Sequence, residues 1–130
     1  MYLIFIGDAN AQPRLGRGEP YKHWISYLTD TLEDKYPGAS RNRNFVTYGH
    51  ANNTNRFTPK RIDYLMYWAS QDISMCTHSF ELPHYSTVKD NGERISISDH
   101  EGLSAEYWIE RKSSGGSGST HCVKDASYDV

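Results

Sequence analysis

Residues Tyr2-Leu3-Ile4-Phe5-Ile6 form an unbroken apolar run that stops at Gly7-Asp8-Ala9-Asn10. Five such residues are far short of the ~20 needed to cross a bilayer. No basic segment precedes them and polar residues cut them short, so they do not read as a secretory signal either. The run predicts a strand buried on both faces, ending in a loop that carries carboxylate and amide groups. A chain that begins this way must build a sheet with cover on both sides, with its polar chemistry at a strand end.

The rest of the chain predicts which elements surround that strand. Tyr21, Trp24, Ile25, Leu28 and Leu32 recur on one helical face between Pro20 and Pro37-Gly38, which predicts a helix from about Pro20 to Tyr36. Residues 39–60 are rich in Asn, Arg, Thr and Ser and read as loop. Arg61–Ala69 and Ile73–Phe80 are β-rich and joined by Ser70-Gln71-Asp72, the pattern of a hairpin. Asn91-Gly92 marks a turn, Ile95–Ser98 a short strand, and Leu103, Ala105, Tyr107 and Ile109 the inward side of a terminal strand. From Ser113 the chain becomes a Gly/Ser linker, which predicts a folded unit over 1–112 and a polar tail over 113–130.

Composition narrows the class. The 130 residues suit one small domain, and 37% hydrophobic with 13% aromatic content places it among packed globular chains. A formal charge of −2 does not mark the chain for nucleic acid or an anionic membrane. Cys76 and Cys122 are too few for a disulfide-built scaffold, which favours a reducing, intracellular compartment. Cys76-x-His78 and His121-Cys122 lack two further ligands at useful spacing, so neither reads as a soft-metal site. The run from Arg41 to Arg61 holds Arg41, Arg43, Arg56, Lys60 and Arg61 with no acid, and reads either as a solvated loop or as a surface for a phosphodiester.

Three constellations sit at strand ends: Gly7-Asp8-Ala9-Asn10, Arg61-Ile62-Asp63-Tyr64 and Ser98-Asp99-His100. Singly, each is an ordinary turn or surface sequence. Together they supply what metal-assisted attack of water on phosphorus requires. An imidazole takes the proton, a carboxylate fixes its tautomer, further carboxylates hold a hard cation, and an amide donates to a phosphoryl oxygen.

In that order, these motifs resemble the C-terminal half of the endonuclease/exonuclease/phosphatase superfamily, the fold of pancreatic DNase. Gly7-Asp8-Ala9-Asn10-Ala11-Gln12-Pro13-Arg14-Leu15-Gly16, Arg61-Ile62-Asp63-Tyr64-Leu65-Met66-Tyr67 and Ser98-Asp99-His100-Glu101-Gly102-Leu103 look most like the animal neutral sphingomyelinases. The resemblance covers roughly residues 2–110 and implies an α+β, DNase I-like sandwich of two sheets flanked by helices, of which this chain carries the C-terminal half.

Carried over residue by residue, the resemblance makes His100 the general base and Asp63 its orienting carboxylate, with Asp8 and Asn10 completing the catalytic set. It implies metal contacts from Asp99, Asp8 and His100 and substrate contacts from Asn10 and Arg61. The implied cofactor is Mg²⁺ and the implied reaction is hydrolysis of sphingomyelin, or another phosphodiester lipid head group, to ceramide and phosphocholine. The family's metal-binding glutamate and a second catalytic histidine precede the Gly-Asp-x-Asn strand, and only six residues precede Gly7 here. The resemblance therefore also implies an incomplete fragment that partners a missing N-terminal half. Its implied location is cytoplasmic or membrane-associated, with peripheral membrane contact. The alternatives are a repair-type nuclease of the same superfamily, which the net charge disfavours, and a non-catalytic truncated binding module.

Overall fold

In the computed structural model, the described residues are 1–13, 20–39, 45–48 and 60–112. Strand outweighs helix throughout. The elements are β1 (Tyr2–Asp8), α1 (Pro20–Trp24), β2 (Thr29–Asp30), α2 (Thr31–Lys35), β3 (Asp63–Ala69), β4 (Ile73–Glu81), β5 (Ser86–Val88), β6 (Arg94–Ser96) and β7 (Ser104–Arg111). They form a three-stranded sheet of order β1-β3-β2 and two antiparallel pairs, β4-β7 and β5-β6. The Gly/Ser linker and tail expected over 113–130 lie outside the described residues, as does most of the loop expected over 39–60.

β3 is the axis of the domain. Its residues alternate between two cores, as the two-residue period of a strand requires. Leu65 packs with Leu32, Ala39, Phe45 and Phe80, while Tyr64 and Met66 pack with Tyr21 on the other face. α2 ties the sheets together: its Asp34 carboxylate accepts from the Tyr67 hydroxyl and the Thr77 amide, both at 2.8 Å. Thr77 in turn donates its hydroxyl to the Thr31 carbonyl at 3.2 Å.

Four expectations are corrected. The helix expected over Pro20–Tyr36 is interrupted by β2, so that only its two ends are helical and Ile25 is exposed. The cause is Asp30. Its carboxylate caps α2 by accepting the Leu32 amide at 3.1 Å, takes the Tyr21 hydroxyl at 2.6 Å, and receives both Arg61 amino groups at 2.7 Å. Capping and a buried ion pair hold this residue outside a helix, although the apolar periodicity runs straight through it.

The expected hairpin of Arg61–Ala69 with Ile73–Phe80 does not form either. β3 already has β1 on one edge and β2 on the other, so β4 leaves that sheet and pairs with β7. The Asn91-Gly92 turn, by contrast, closes the β5-β6 hairpin, with Gly92 at φ +81° and its amide on the Lys89 carbonyl at 2.8 Å.

The third correction concerns β1. It is a strand, as its composition predicts, but it is not buried on both faces. Leu3 is 58% exposed and Ile6 70%, and among the described residues β1 is an edge strand paired with β3 alone. No helix among the described residues is long and apolar enough to cross a membrane. Cys76 on β4 is buried and held in a disulfide. A disulfide is characteristic of oxidising compartments, so cysteine usage does not favour a reducing one.

Candidate functional site

The end of β1 and the start of β3 lie side by side, and their register places Asp8 directly opposite Asp63. Like charges across an antiparallel pair are unfavourable, so this rung stores a local conflict that a cation can relieve. His100 is brought against this rung by the loop before β7. Its Nδ1 lies 2.9 Å and 3.1 Å from the two Asp63 carboxylate oxygens. One ligand atom from each of Asp8, Asp63 and His100 lies within 4.8 Å of the others.

The electrostatics follow from this geometry. Partial burial disfavours the His100 imidazolium, but the hydrogen bond and charge of Asp63, reinforced by Asp99 and Asp8, outweigh it and hold the imidazole above its ordinary value. With Nδ1–H donating to Asp63, Nε2 is the nitrogen left to accept a proton. Asp63 is largely buried, which limits solvent screening of the pair, whereas His100 keeps about a third of its side chain open.

Asn10 is placed by Asp8. Its backbone amide donates to one Asp8 carboxylate oxygen at 2.8 Å and its side-chain amide reaches the other at 3.5 Å. This fold-back holds Asn10 at φ +50°, a left-handed conformation that asparagine tolerates better than most residues. The segment is anchored to β3 by the Ala9 amide on the Ile62 carbonyl at 2.8 Å and the Tyr64 hydroxyl on the Ala11 carbonyl at 2.6 Å.

A cavity of about 650 Å³ opens over this cluster, walled by Asp8, Asn10, Tyr48, Lys60, Asp99 and His100. Asp8, Asp63, Asn10 and His100, expected to act together, therefore meet at one place. Asp99 lines the cavity but stands outside the three-residue cluster, in which Asp63 takes the place expected of it. Two carboxylates and an imidazole suit a divalent cation, and the remaining positions would fall to water or substrate oxygens.

Arg61 is corrected from a substrate contact to a structural residue. Its guanidinium is buried against Asp30 and lies over the rings of Tyr64, at 4.5 Å, and Phe45, at 5.5 Å. Desolvation opposes its charge, yet Asp30 more than compensates and raises its pKa. Among the described residues its neighbour Lys60 does line the cavity, and the sequence shows it only as one member of a basic run. Tyr48 also escapes a motif search, although its ring lies 4.9 Å from the His100 ring. Nothing in its local sequence marks it, because the contact spans 52 residues of chain. No family model, curated protein or solved structure matches this chain significantly.

Proposed function

We propose that this chain carries the base-bearing half of a Mg²⁺-dependent phosphodiesterase site of the DNase I-like superfamily, with sphingomyelin as substrate. The observation that carries the reading is His100 Nδ1 on Asp63 at 2.9 Å, with Asp8 on the adjoining rung and a cavity above them. Asp63 fixes the imidazole so that Nε2 can take a proton from water entering the cavity. Asn10 and Lys60 offer an amide and an ammonium to the non-bridging oxygens of a phosphodiester, where negative charge develops. Asp8 and Asp63 would hold Mg²⁺, which when bound would supply Lewis-acid polarisation of the phosphoryl group, leaving His100 Nε2 free for the proton.

The open, apolar edge of β1 supports a second part of the proposal. A further portion of sheet covers that edge in the catalytic unit and brings the glutamate that the resemblance implies. The assay is phosphocholine release from sphingomyelin micelles in Mg²⁺, comparing the wild type with His100→Ala and Asp63→Asn. Loss of at least ~10²-fold in His100→Ala agrees with a positioned general base. Wild-type turnover by that variant would remove the base, and cleavage of abasic or duplex DNA with sphingomyelin untouched would transfer the site to nucleic acid.

A further inference from the structure

His100 and Asp63 are 37 residues apart in sequence, one on a loop and one at a strand start, and they pair within 3 Å. A hydrogen bond between two such side chains is well defined only if their backbones are held to a common frame. Residues 45–48 supply that frame. Thr47 is fully buried, and its hydroxyl oxygen accepts the backbone amides of both Ile62 and Asp63 at 3.0 Å. Its own amide donates to the Lys60 carbonyl at 2.9 Å, and its carbonyl accepts the Glu101 amide at 2.7 Å. One residue thus touches the chain just before Asp63 and just after His100.

Tyr48 continues the same crosspiece. It bridges Lys60 on one side and His100 on the other, exchanging two amide-carbonyl bonds with Lys60 at 2.9 Å and 3.0 Å. Its ring rests 4.9 Å from the imidazole at 59°. The backbone pairing thus references the His100 loop to the start of β3, and the ring limits rotation of the imidazole about its own side-chain bonds.

We propose that Thr47 and Tyr48 are positioning residues for the His100–Asp63 pair: the Thr47 hydroxyl and carbonyl set the separation of the two backbones, and the Tyr48 ring sets the imidazole rotamer. Thr47 is fully buried and acts through backbone groups, and Tyr48 acts on the imidazole through its ring. Valine, the isostere of threonine, fills the same space but accepts no hydrogen bond, so it leaves the Ile62 and Asp63 amides without their acceptor. Serine keeps the oxygen. The inference rests on the reading of His100 as the base, yet its test reads imidazole geometry instead of turnover, so the two fail separately.

The test is the long-range ¹H–¹⁵N spectrum of the His100 ring at alkaline pH, where the ring is neutral, in the wild type, Thr47→Ser, Thr47→Val and Tyr48→Leu. A single Nδ1-protonated pattern is expected in the wild type and Thr47→Ser. Converging Nδ1 and Nε2 shifts, the mark of tautomer averaging, are expected in Thr47→Val and Tyr48→Leu, with the β4 and β7 amide resonances unmoved. A folded Thr47→Val with the wild-type His100 pattern overturns the proposal. If Thr47→Val does not fold, Thr47→Ser and Tyr48→Leu decide: a retained pattern in the first with averaging in the second supports it. An intact pattern in Tyr48→Leu, or averaging in Thr47→Ser, overturns it.

Discussion

Replacing Asp30 by Asn tests whether Arg61 belongs to the core or to the cavity. The two side chains are 4% and 2% exposed and meet through two bonds of 2.7 Å, so neither charge has access to water. Asparagine keeps the shape and can still cap α2, which leaves the helix terminus largely intact and isolates the charge. It strands the guanidinium, whose Nε already lacks a partner among the described residues. Removing one member of a buried pair costs about 3–5 kcal/mol. Against a total stability of about 5–15 kcal/mol for a domain, that is a large fraction.

In urea, with a slope of about 2 kcal/mol/M, the midpoint should fall by roughly 2 M. Tryptophan fluorescence reads the transition, since Trp24 packs against Tyr64 beside the pair. The double variant Asp30→Leu/Arg61→Met should recover most of the loss, because apolar replacement of a buried pair is often neutral or better. A cost below ~1 kcal/mol for Asp30→Asn would show a solvent-screened pair instead of a buried one, and would return Arg61 to the solvent-facing role that its motif position suggests.

Other outcomes follow from the site and its supports. The His100 imidazole should titrate above its ordinary 6.5 by NMR, and Asp63→Asn should bring it down. Because the folded-state pKa is raised, the stabilisation is fully present below the unfolded value and is lost as pH rises through the folded one, so stability should decline across that window. Gly102→Ala places a methyl group 2.9 Å from Pro83 and Tyr85 side-chain carbons and 3.0 Å from the Pro83 carbonyl. Overpacking of this kind costs about 1–3 kcal/mol, visible as a lowered melting temperature with shifted His100 resonances. Leu3→Lys, in the exposed apolar stretch Tyr2–Ile6 of β1, should change stability by less than ~0.5 kcal/mol and suppress concentration-dependent association in sedimentation velocity.

The parts of the fold that could be read from sequence are those set by local rules. β1 follows from its apolar run, β7 from its alternation, and the β5-β6 hairpin from Asn91-Gly92, where glycine supplies a positive φ. The helix over Pro20–Tyr36 was not legible because Asp30 answers to Arg61, 31 residues away, and not to the periodicity around it. The β-rich segments around Ser70-Gln71-Asp72 do not pair for a similar reason. The identity of β3's partners depends on β1 and β2, which no property of the Ala69–Ile73 turn reveals.

The site shows the same division. Asp8, Asn10, Asp63 and His100 stand in short polar motifs at strand ends, and the chain brings them together. Arg61 shares a motif with Asp63 but is drawn into the core by its buried pair with Asp30, 31 residues away. Thr47 and Tyr48 act through backbone pairing to residues far along the chain, and side-chain motifs carry no trace of such pairing.

Whether Asp8 and Asp63 hold a cation beside His100 can be read from binding alone, without reference to turnover. Mn²⁺, a paramagnetic substitute for Mg²⁺, can be titrated into uniformly ¹⁵N-labelled protein. Amide resonances at Asp8, Asp63 and His100 should broaden first and together, excess Mg²⁺ should restore them, and Asp8→Asn should abolish the effect. Broadening that begins instead at exposed acids such as Asp72 and Glu93, or that is unchanged in Asp8→Asn, would contradict a cation held at Asp8 and Asp63.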